Sequence, residues 1–280
     1  MKKIVILKNN GGRLANQLWL FSSVYAYCLE KKYICENRSF FRYYKYFNIE
    51  NPSGMPGLLF YNKLGENKLM RLAYLIYSSV LKTINKSTVI DDKNSLFVLP
   101  PDKTTIKNQE DAIKMIDESN SRKFYFCGWL FRTPTGLEKY RSEIKEYFKP
   151  KKEYLDKVKN FIEPLKNGGK YLVGVHIRHG DYRKWNDGKF FYSFSEVRKI
   201  LESHLEKQEK PENILYVLCS DEKIDDKSFK GLPYVKGLGS EIEDLYALAS
   251  TNVIIGSNSS FGPWAAYYGN IPFIAFPEKK

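Results

Sequence analysis

Apolar positions along this chain recur with two periods. Short runs dense in β-branched residues, as in strands, alternate with stretches where apolar side chains return every three or four positions, as on a helix face. Lys3–Leu7 predicts a first strand, Asn9-Asn10-Gly11-Gly12 a tight loop, and Leu14 to Lys31 a helix with Leu14, Leu18, Phe21, Tyr25 and Leu29 on one face. Glu66–Lys86 sets Leu69, Leu72, Ala73, Ile76, Val80 and Leu81 on a broad helical face, with Lys68, Arg71, Lys82 and Lys86 around it. Such a helix is expected to pack on its own domain; contact with a membrane interface is the alternative. Lys123–Leu130 predicts a strand, and Leu137–Phe148 a helix stopped by Pro150.

From Tyr171 onward the alternation becomes regular. Strand Tyr171–Arg178 precedes a helix opened by the capping box Ser193-x-x-Glu196, with Phe194, Val197, Leu201 and Leu205 at helical spacing. Strand Asn213–Ser220, a helix capped by Ser240-x-x-Glu243, strand Asn252–Gly256, a helix near Trp264–Tyr268 and strand Ile271–Phe276 follow. Strands alternating with helices imply parallel sheets covered on both faces. The expected fold class is α/β, with two Rossmann-like halves and a cleft between them. Residues 1–150 form the first domain and 171–280 the second. The lysine-rich stretch 151–170, broken by Pro164 and Gly168-Gly169, is expected to be the crossing between them.

Composition narrows the partners. At 280 residues the chain is long enough for two domains, and 43% hydrophobic with 28% charged residues is the balance of a globular protein. A formal net charge of +13 implies an anionic partner: a nucleotide, a nucleic acid, an acidic glycan or a negative membrane face. Cys28, Cys35, Cys127 and Cys219 have no metal-like spacing, so reduced thiols in a cytoplasmic protein are expected, with no zinc. The apolar run after Met1-Lys2-Lys3 is too short for a signal peptide, and no run approaches the length of a membrane span. The aromatics Phe40, Phe41, Tyr43, Tyr44, Tyr46 and Phe47, followed by breaks at Pro52, Gly54, Pro56 and Gly57, suit core packing better than stacking on bases or sugars.

Three predicted strand ends in the second half carry polar clusters: His176/Arg178/Asp181, Ser220/Asp221/Glu222 and Ser257/Asn258/Ser259/Ser260. The carboxyl edge of an open parallel sheet is where ligands bind, and three clusters there would surround one crevice. Each has a plainer reading. Arg178 and Asp181 could simply pair while His176 sits satisfied in the core, and Ser260 could be an ordinary N-cap rather than a phosphate ligand. Asp244, in a helix's first turn, suits the dipole, or could accept the paired N–H groups of a guanine. Gly11 and Gly12 before a helix suit close approach of an anion, or only a turn.

Taken together, these residues resemble a known family. Gly11-Gly12-Arg13-Leu14-Ala15-Asn16-Gln17-Leu18, His176-Ile177-Arg178-His179-Gly180-Asp181-Tyr182, Ser220-Asp221 and Ser259-Ser260-Phe261-Gly262-Pro263-Trp264-Ala265-Ala266 resemble, in order, motifs of the bacterial α-1,2-fucosyltransferases of glycosyltransferase family 11, within the HxRRxD-motif fucosyltransferases. Gly128-Trp129 with Lys139-Tyr140 is weakly similar to a further segment. The resemblance implies a GT-B fold, with an acceptor-side first domain and a donor-binding second one. It implies inverting transfer of L-fucose from GDP-fucose to a glycan hydroxyl, in surface polysaccharide or O-antigen synthesis, without an obligatory metal or other cofactor; the alternatives are a GT-B transferase using another nucleoside-diphosphate sugar, or a non-catalytic protein that binds a nucleotide or an anionic glycan.

By position, the resemblance implies that Arg178 contacts the diphosphate and His176 the ribose or phosphate region. Asp244 would read guanine, Asp221 would lie at the donor site, and Ser259 and Ser260 would hold phosphate. Gly12, Arg13 and Asn16 would close over the donor, and Asp181 is the first choice for a general base, ahead of Asp187. The implied partners are a GDP-sugar and an oligosaccharide or lipid-linked glycan, not nucleic acid, with peripheral contact to an anionic membrane as an accessory expectation. His179 departs from the pattern by replacing a second arginine, and Gly262-Pro263 replaces Ser-Trp. The chain ends at Lys280, directly after a predicted strand, which suggests a short carboxyl terminus.

Overall fold

A computed structural model of the chain describes residues 1–8, 12–49, 68–91, 113–128 and 131–279. Several sequence features lie outside the described residues: Asn9 to Gly11, the breaks from Pro52 to Gly57, and Trp129 with Leu130. The chain divides into two compact units, Met1–Lys149 and Pro150–Lys280.

In the first unit β1 (Lys3–Lys8) lies between β2 (Ile34–Asn37) and β4 (Lys123–Cys127), with β3 (Val89–Asp91) beyond β4, all parallel. Helix α1 (Leu14–Lys31) follows the first strand as expected. Strands β2 and β3 are too short, and Glu36 too polar, to announce themselves. Glu36 is nonetheless buried because Lys3 and Arg38 both pair with it at 2.5 Å. Phe40, Phe41, Tyr43, Tyr44 and Phe47 are buried, and Phe40 packs edge-on to Phe21 at 5.4 Å, so core packing is what these rings do. Four free cysteines are present.

Helix α2 (Lys68–Ile84) departs from expectation. Of the predicted apolar face only Leu81 turns inward, and the helix docks mainly through other residues: Tyr74 and Ser78 are buried, Tyr77 and Leu81 pack on a cluster of Val5, Leu7, Tyr125 and Cys127, and the Tyr74 hydroxyl donates to the Leu7 carbonyl. Leu69, Leu72, Ile76 and Val80 are between 50% and 71% exposed. Two tyrosines supply the amphipathic inner face that leucines were expected to supply. The predicted helix over 137–148 is two, α3 (Pro134–Lys139) and α4 (Arg141–Tyr147), broken at Tyr140 where ψ reaches 26°.

In the second unit the lysine-rich stretch is helix α5 (Lys152–Asn167). Val158 and Ile162 are its buried positions, and Pro164 falls in its last turn, where few main-chain bonds remain to be lost. Lys157 pairs with Glu243 at 2.7 Å, fastening α5 to α7 (Glu241–Ala249). The sheet runs β7 (Tyr234–Lys236), β6 (Ile214–Ser220), β5 (Tyr171–Ile177), β8 (Val253–Gly256), β9 (Phe273–Ala275), all parallel. Helices α6 (Phe194–Leu205) and α8 (Phe261–Gly269) complete it. Both halves of the Ser193/Glu196 capping box form. The α/β class with two parallel sheets is as expected. Strand β7, only three residues long, was not foreseen.

Candidate active site at the carboxyl edge of the second sheet

Strand order decides where this site lies. From β5 the chain builds outward to β6 and β7, then returns to lay β8 and β9 on the other side of β5. Such a reversal opens a crevice at the carboxyl ends of the central strands. Register brings three strand ends level there, His176 beside Gly256 and Ile177 beside Ser220. The next residues of each strand, Arg178, Asp221 and Ser257, therefore emerge at one edge.

Ser257 is fully buried and acts as a clamp. Its N–H donates to the His176 carbonyl at 2.9 Å, and its Oγ accepts the Arg178 N–H at 2.9 Å. Asp221 holds the next residues by both oxygens. Oδ2 accepts from Arg178 Nη1 at 2.6 Å, and Oδ1 accepts from the His179 N–H at 2.8 Å. Arg178 Nη2 donates to Asp181 Oδ1, and the guanidinium carbon stands 5.5 Å from the centre of the Tyr182 ring. The Tyr182 hydroxyl donates to the Asn258 carbonyl at 3.1 Å, tying the loop after β5 to the loop after β8.

Exposure separates the two carboxylates on Arg178. The side chains of Arg178 and Asp221 are 14% and 17% exposed, whereas that of Asp181 is 60% exposed. Asp221 thus orients the guanidinium from within and Asp181 meets it at the rim. A guanidinium has five N–H donors, and these two contacts take one each.

His176 is 5% exposed, lies 4.9 Å from the Phe261 ring in a stacked arrangement, and has Nδ1 3.5 Å from Ser259 Oγ. Burial, with the Arg178 cation adding to it, pushes its pKa down to about 3, so the ring is neutral near pH 7. Gly256 makes room for it: a Cβ there would sit 2.9 Å from the Cβ and carbonyl oxygen of His176. Ser259 Oγ accepts the Phe261 N–H at 3.3 Å, and Ser260 occupies the N-cap of α8 without capping it through its side chain.

Asp244 is buried and turned onto its own loop. Oδ1 accepts the Gly239 N–H at 3.0 Å, and the carboxyl also receives the Leu238 N–H and the Cys219 thiol. Burial raises its pKa, against the lowering effect of those three donors. A Cβ at Gly237 would come within 2.5 Å of Asp244 Oδ1 and 2.7 Å of Cys219 Sγ, so only glycine fits.

His179 is not at the edge at all. It is 2% exposed, packs against Phe194 and Phe191 at 4.4 and 4.9 Å, and places Nε2 2.7 Å from the Tyr192 carbonyl and Nδ1 3.2 Å from Glu222. The departure from a second arginine is absorbed into the core, where an aromatic ring packs. Gly12, Arg13 and Asn16 belong to the first unit. Gly12 has φ +79°, and a Cβ there would strike the Asn16 side chain, so the turn into α1 requires glycine. Arg13 is the N-cap residue of α1 and is exposed.

The structure therefore brings His176, Arg178, Asp181, Asp221, Ser257 and Ser259 together. Sequence reasoning missed Ser257 as the main-chain clamp, and Phe261 and Gly237 as the packing that seats His176 and Asp244. The adjacent glycines, Gly256 and Gly237, were the available signal. Among the described residues no group of three or more His, Cys, Asp or Glu is arranged to hold a metal ion. A guanidinium paired with two carboxylates, a neutral imidazole and hydroxyls thus meet at one strand-end edge.

The sequence profile of glycosyl transferase family 11 matches residues 106–271, more than half of the chain. The chain belongs to glycosyl transferase family 11. No curated protein matches it. Among solved structures, NodZ, an α-1,6-fucosyltransferase co-crystallised with GDP, superposes with a TM-score of 0.60 at 15% identity, covering 99% of this chain and 96% of that one. A selenomethionine form of NodZ from Bradyrhizobium gives 0.59 at 16%, covering 99% and 95%. POFUT1 in complex with GDP gives 0.53 at 13%, covering 98% of each chain. At these identities the likeness speaks for the fold, and the GT-B-like pair of parallel-sheet units agrees with the expectation from family 11 motifs.

Proposed function

We propose that this family 11 enzyme transfers L-fucose from GDP-fucose to a glycan hydroxyl, with inversion at the anomeric carbon and an α-1,2 linkage, in the assembly of a surface polysaccharide or O-antigen. The observation that carries the donor half is the placement of Arg178, a permanent cation oriented from within by Asp221 at the switch point of a parallel sheet. As GDP departs, charge builds on its β-phosphate. A guanidinium already fixed there stabilises that charge more than it stabilises the bound sugar nucleotide, which is what lowers a barrier. On this reading no metal or other cofactor is obligatory.

In the same reading Ser259 and Ser260 hold phosphate, His176 faces the ribose or phosphate region as a neutral donor or acceptor, and Asp244 is the guanine reader only if a bound base displaces the Gly239 N–H from it. Gly12, Arg13 and Asn16 of the first unit are assigned to donor binding on the same reading. Asp181, at the exposed rim and already aligned by Arg178, is the group proposed to take the proton from the attacking hydroxyl. That proteins of similar fold were crystallised with this donor, NodZ soaked with GDP-fucose and POFUT1 in complex with it, supports the donor assignment.

The test is thermal stabilisation by GDP, ADP and UDP, on the natural chain and on Arg178→Ala, with chelator present. Selective stabilisation by GDP, lost in the variant, supports the donor site. Equal stabilisation by UDP favours another nucleotide sugar. No stabilisation, or one indifferent to Arg178, refutes the reading. Linkage is read from the nuclear magnetic resonance spectrum of the product.

A further inference from the structure

Helix α2 carries an apolar face that is left exposed among the described residues. Its inner side is held by Tyr74, Ser78, Tyr77 and Leu81, and the Tyr77 hydroxyl accepts from Arg38. Its outer side is a row at i, i+4 spacing, Leu72, Ile76, Val80 and Ile84, with Leu75 beside it. These five are 55%, 59%, 50%, 73% and 48% exposed. Scattered surface leucines need no explanation, but a contiguous stripe along a four-turn helix does.

Charge decides what the stripe suits. At about 100° per residue, Lys68, Arg71 and Lys82 fall within roughly 40° of Leu75, so cations line one border of the apolar row. No acidic residue occurs between positions 67 and 90, and the chain as a whole carries a formal +13. Apolar residues flanked by lysine and arginine, with no acid on the helix itself, are the pattern of a helix lying in the plane of a membrane. Seventeen residues reach only about 26 Å, and among the described residues no helix is long and apolar enough to cross a bilayer. Lying along the surface is the geometry that remains.

We infer that α2 docks this protein onto an anionic lipid surface, with Leu72, Ile76, Val80 and Ile84 entering the acyl boundary and Lys68 and Arg71 meeting headgroup phosphates. The inference is independent of the proposed transfer reaction, since α2 and the Arg178 site lie in different units. Apolar burial and electrostatic attraction act together, so binding depends on both lipid charge and salt.

The experiment is co-sedimentation of the full chain with vesicles of phosphatidylglycerol or phosphatidylcholine, at 50 and 500 mM salt. The natural chain is expected to sediment with phosphatidylglycerol at least tenfold more than with phosphatidylcholine, and several-fold less at the higher salt. In Leu72→Glu/Ile76→Glu binding is expected to fall at least tenfold, with Tm and GDP binding unchanged because both positions are exposed. In Lys68→Gln/Arg71→Gln it is expected to fall several-fold. Failure of the natural chain to bind phosphatidylglycerol at low salt overturns the inference without any variant. So does full binding by the double glutamate variant. A dimer dispersed by the two glutamates, without lipid binding, assigns the stripe to a second copy. A large loss of Tm in that variant, again without lipid binding, assigns it to another part of this chain. Either overturns the lipid assignment.

Discussion

Removing the charge of Asp221 while keeping its shape tests how the guanidinium is held. In Asp221→Asn the amide oxygen can still accept the His179 N–H, but the amide nitrogen then faces Arg178 Nη1, donor against donor, where a carboxylate oxygen stood at 2.6 Å. A hydrogen bond to a charged group is worth about 1.5–3 kcal/mol, and with both side chains less than a fifth exposed little of that is screened away. The same guanidinium meets Asp181 at the rim, where the carboxylate is 60% exposed, and an exposed pair is worth at most about 1 kcal/mol. The two substitutions should therefore differ in stability by roughly 1–2 kcal/mol although each removes one oxygen from one arginine. For a unit of this size that is a difference of about 3–10 °C in Tm, read by scanning calorimetry on the transition of the second unit. GDP affinity should also fall about tenfold or more in Asp221→Asn as the guanidinium loses its orientation. Equal losses of Tm for Asp221→Asn and Asp181→Asn would refute the division of labour between an inner support and a rim contact.

Other consequences follow from packing and titration. His176 is held neutral with its pKa at about 3 against 6.5 when unfolded, so the unfolded chain binds the additional proton between these values. Stability of the second unit should fall as pH drops through 6.5 toward 3, by up to about 1.4 kcal/mol per pH unit from this group, and His176→Phe should flatten that slope in urea titrations. Gly237→Ala should destabilise by about 1–3 kcal/mol, because its methyl would lie 2.5 Å from Asp244 Oδ1 with Cys219 behind; an unchanged Tm would contradict that packing. Gly256→Ala should displace His176 and lower both Tm and GDP affinity by a measurable shift, since the obstacle is main-chain carbonyl as well as side chain.

Much of the second unit was legible because its signals are local. Runs such as Tyr171 to Ile177 carry their strand character in β-branched residues, the Ser193/Glu196 box announces a helix start, and the polar clusters follow the strands directly. Strands β2, β3 and β7 were not legible. Each is three or four residues long and ends in a polar side chain, Asn37, Asp91 or Lys236, unlike the equally short but wholly apolar β8 and β9, so no continuous apolar run marks them. Helix α5 hid behind its lysines and Pro164, since only Val158 and Ile162 needed to be buried.

Residue types at strand ends were a property of the chain alone, and so were the motifs that place it in family 11, because both are written in consecutive positions. Which side chains share a crevice was not, since Arg178 meets Asp221 and Ser257 only once β6 and β8 flank β5. The inward turn of His179 and the outward turn of the α2 leucines were likewise decided by packing: each helix and loop has several surfaces to offer, and only the assembled neighbours determine which one is covered.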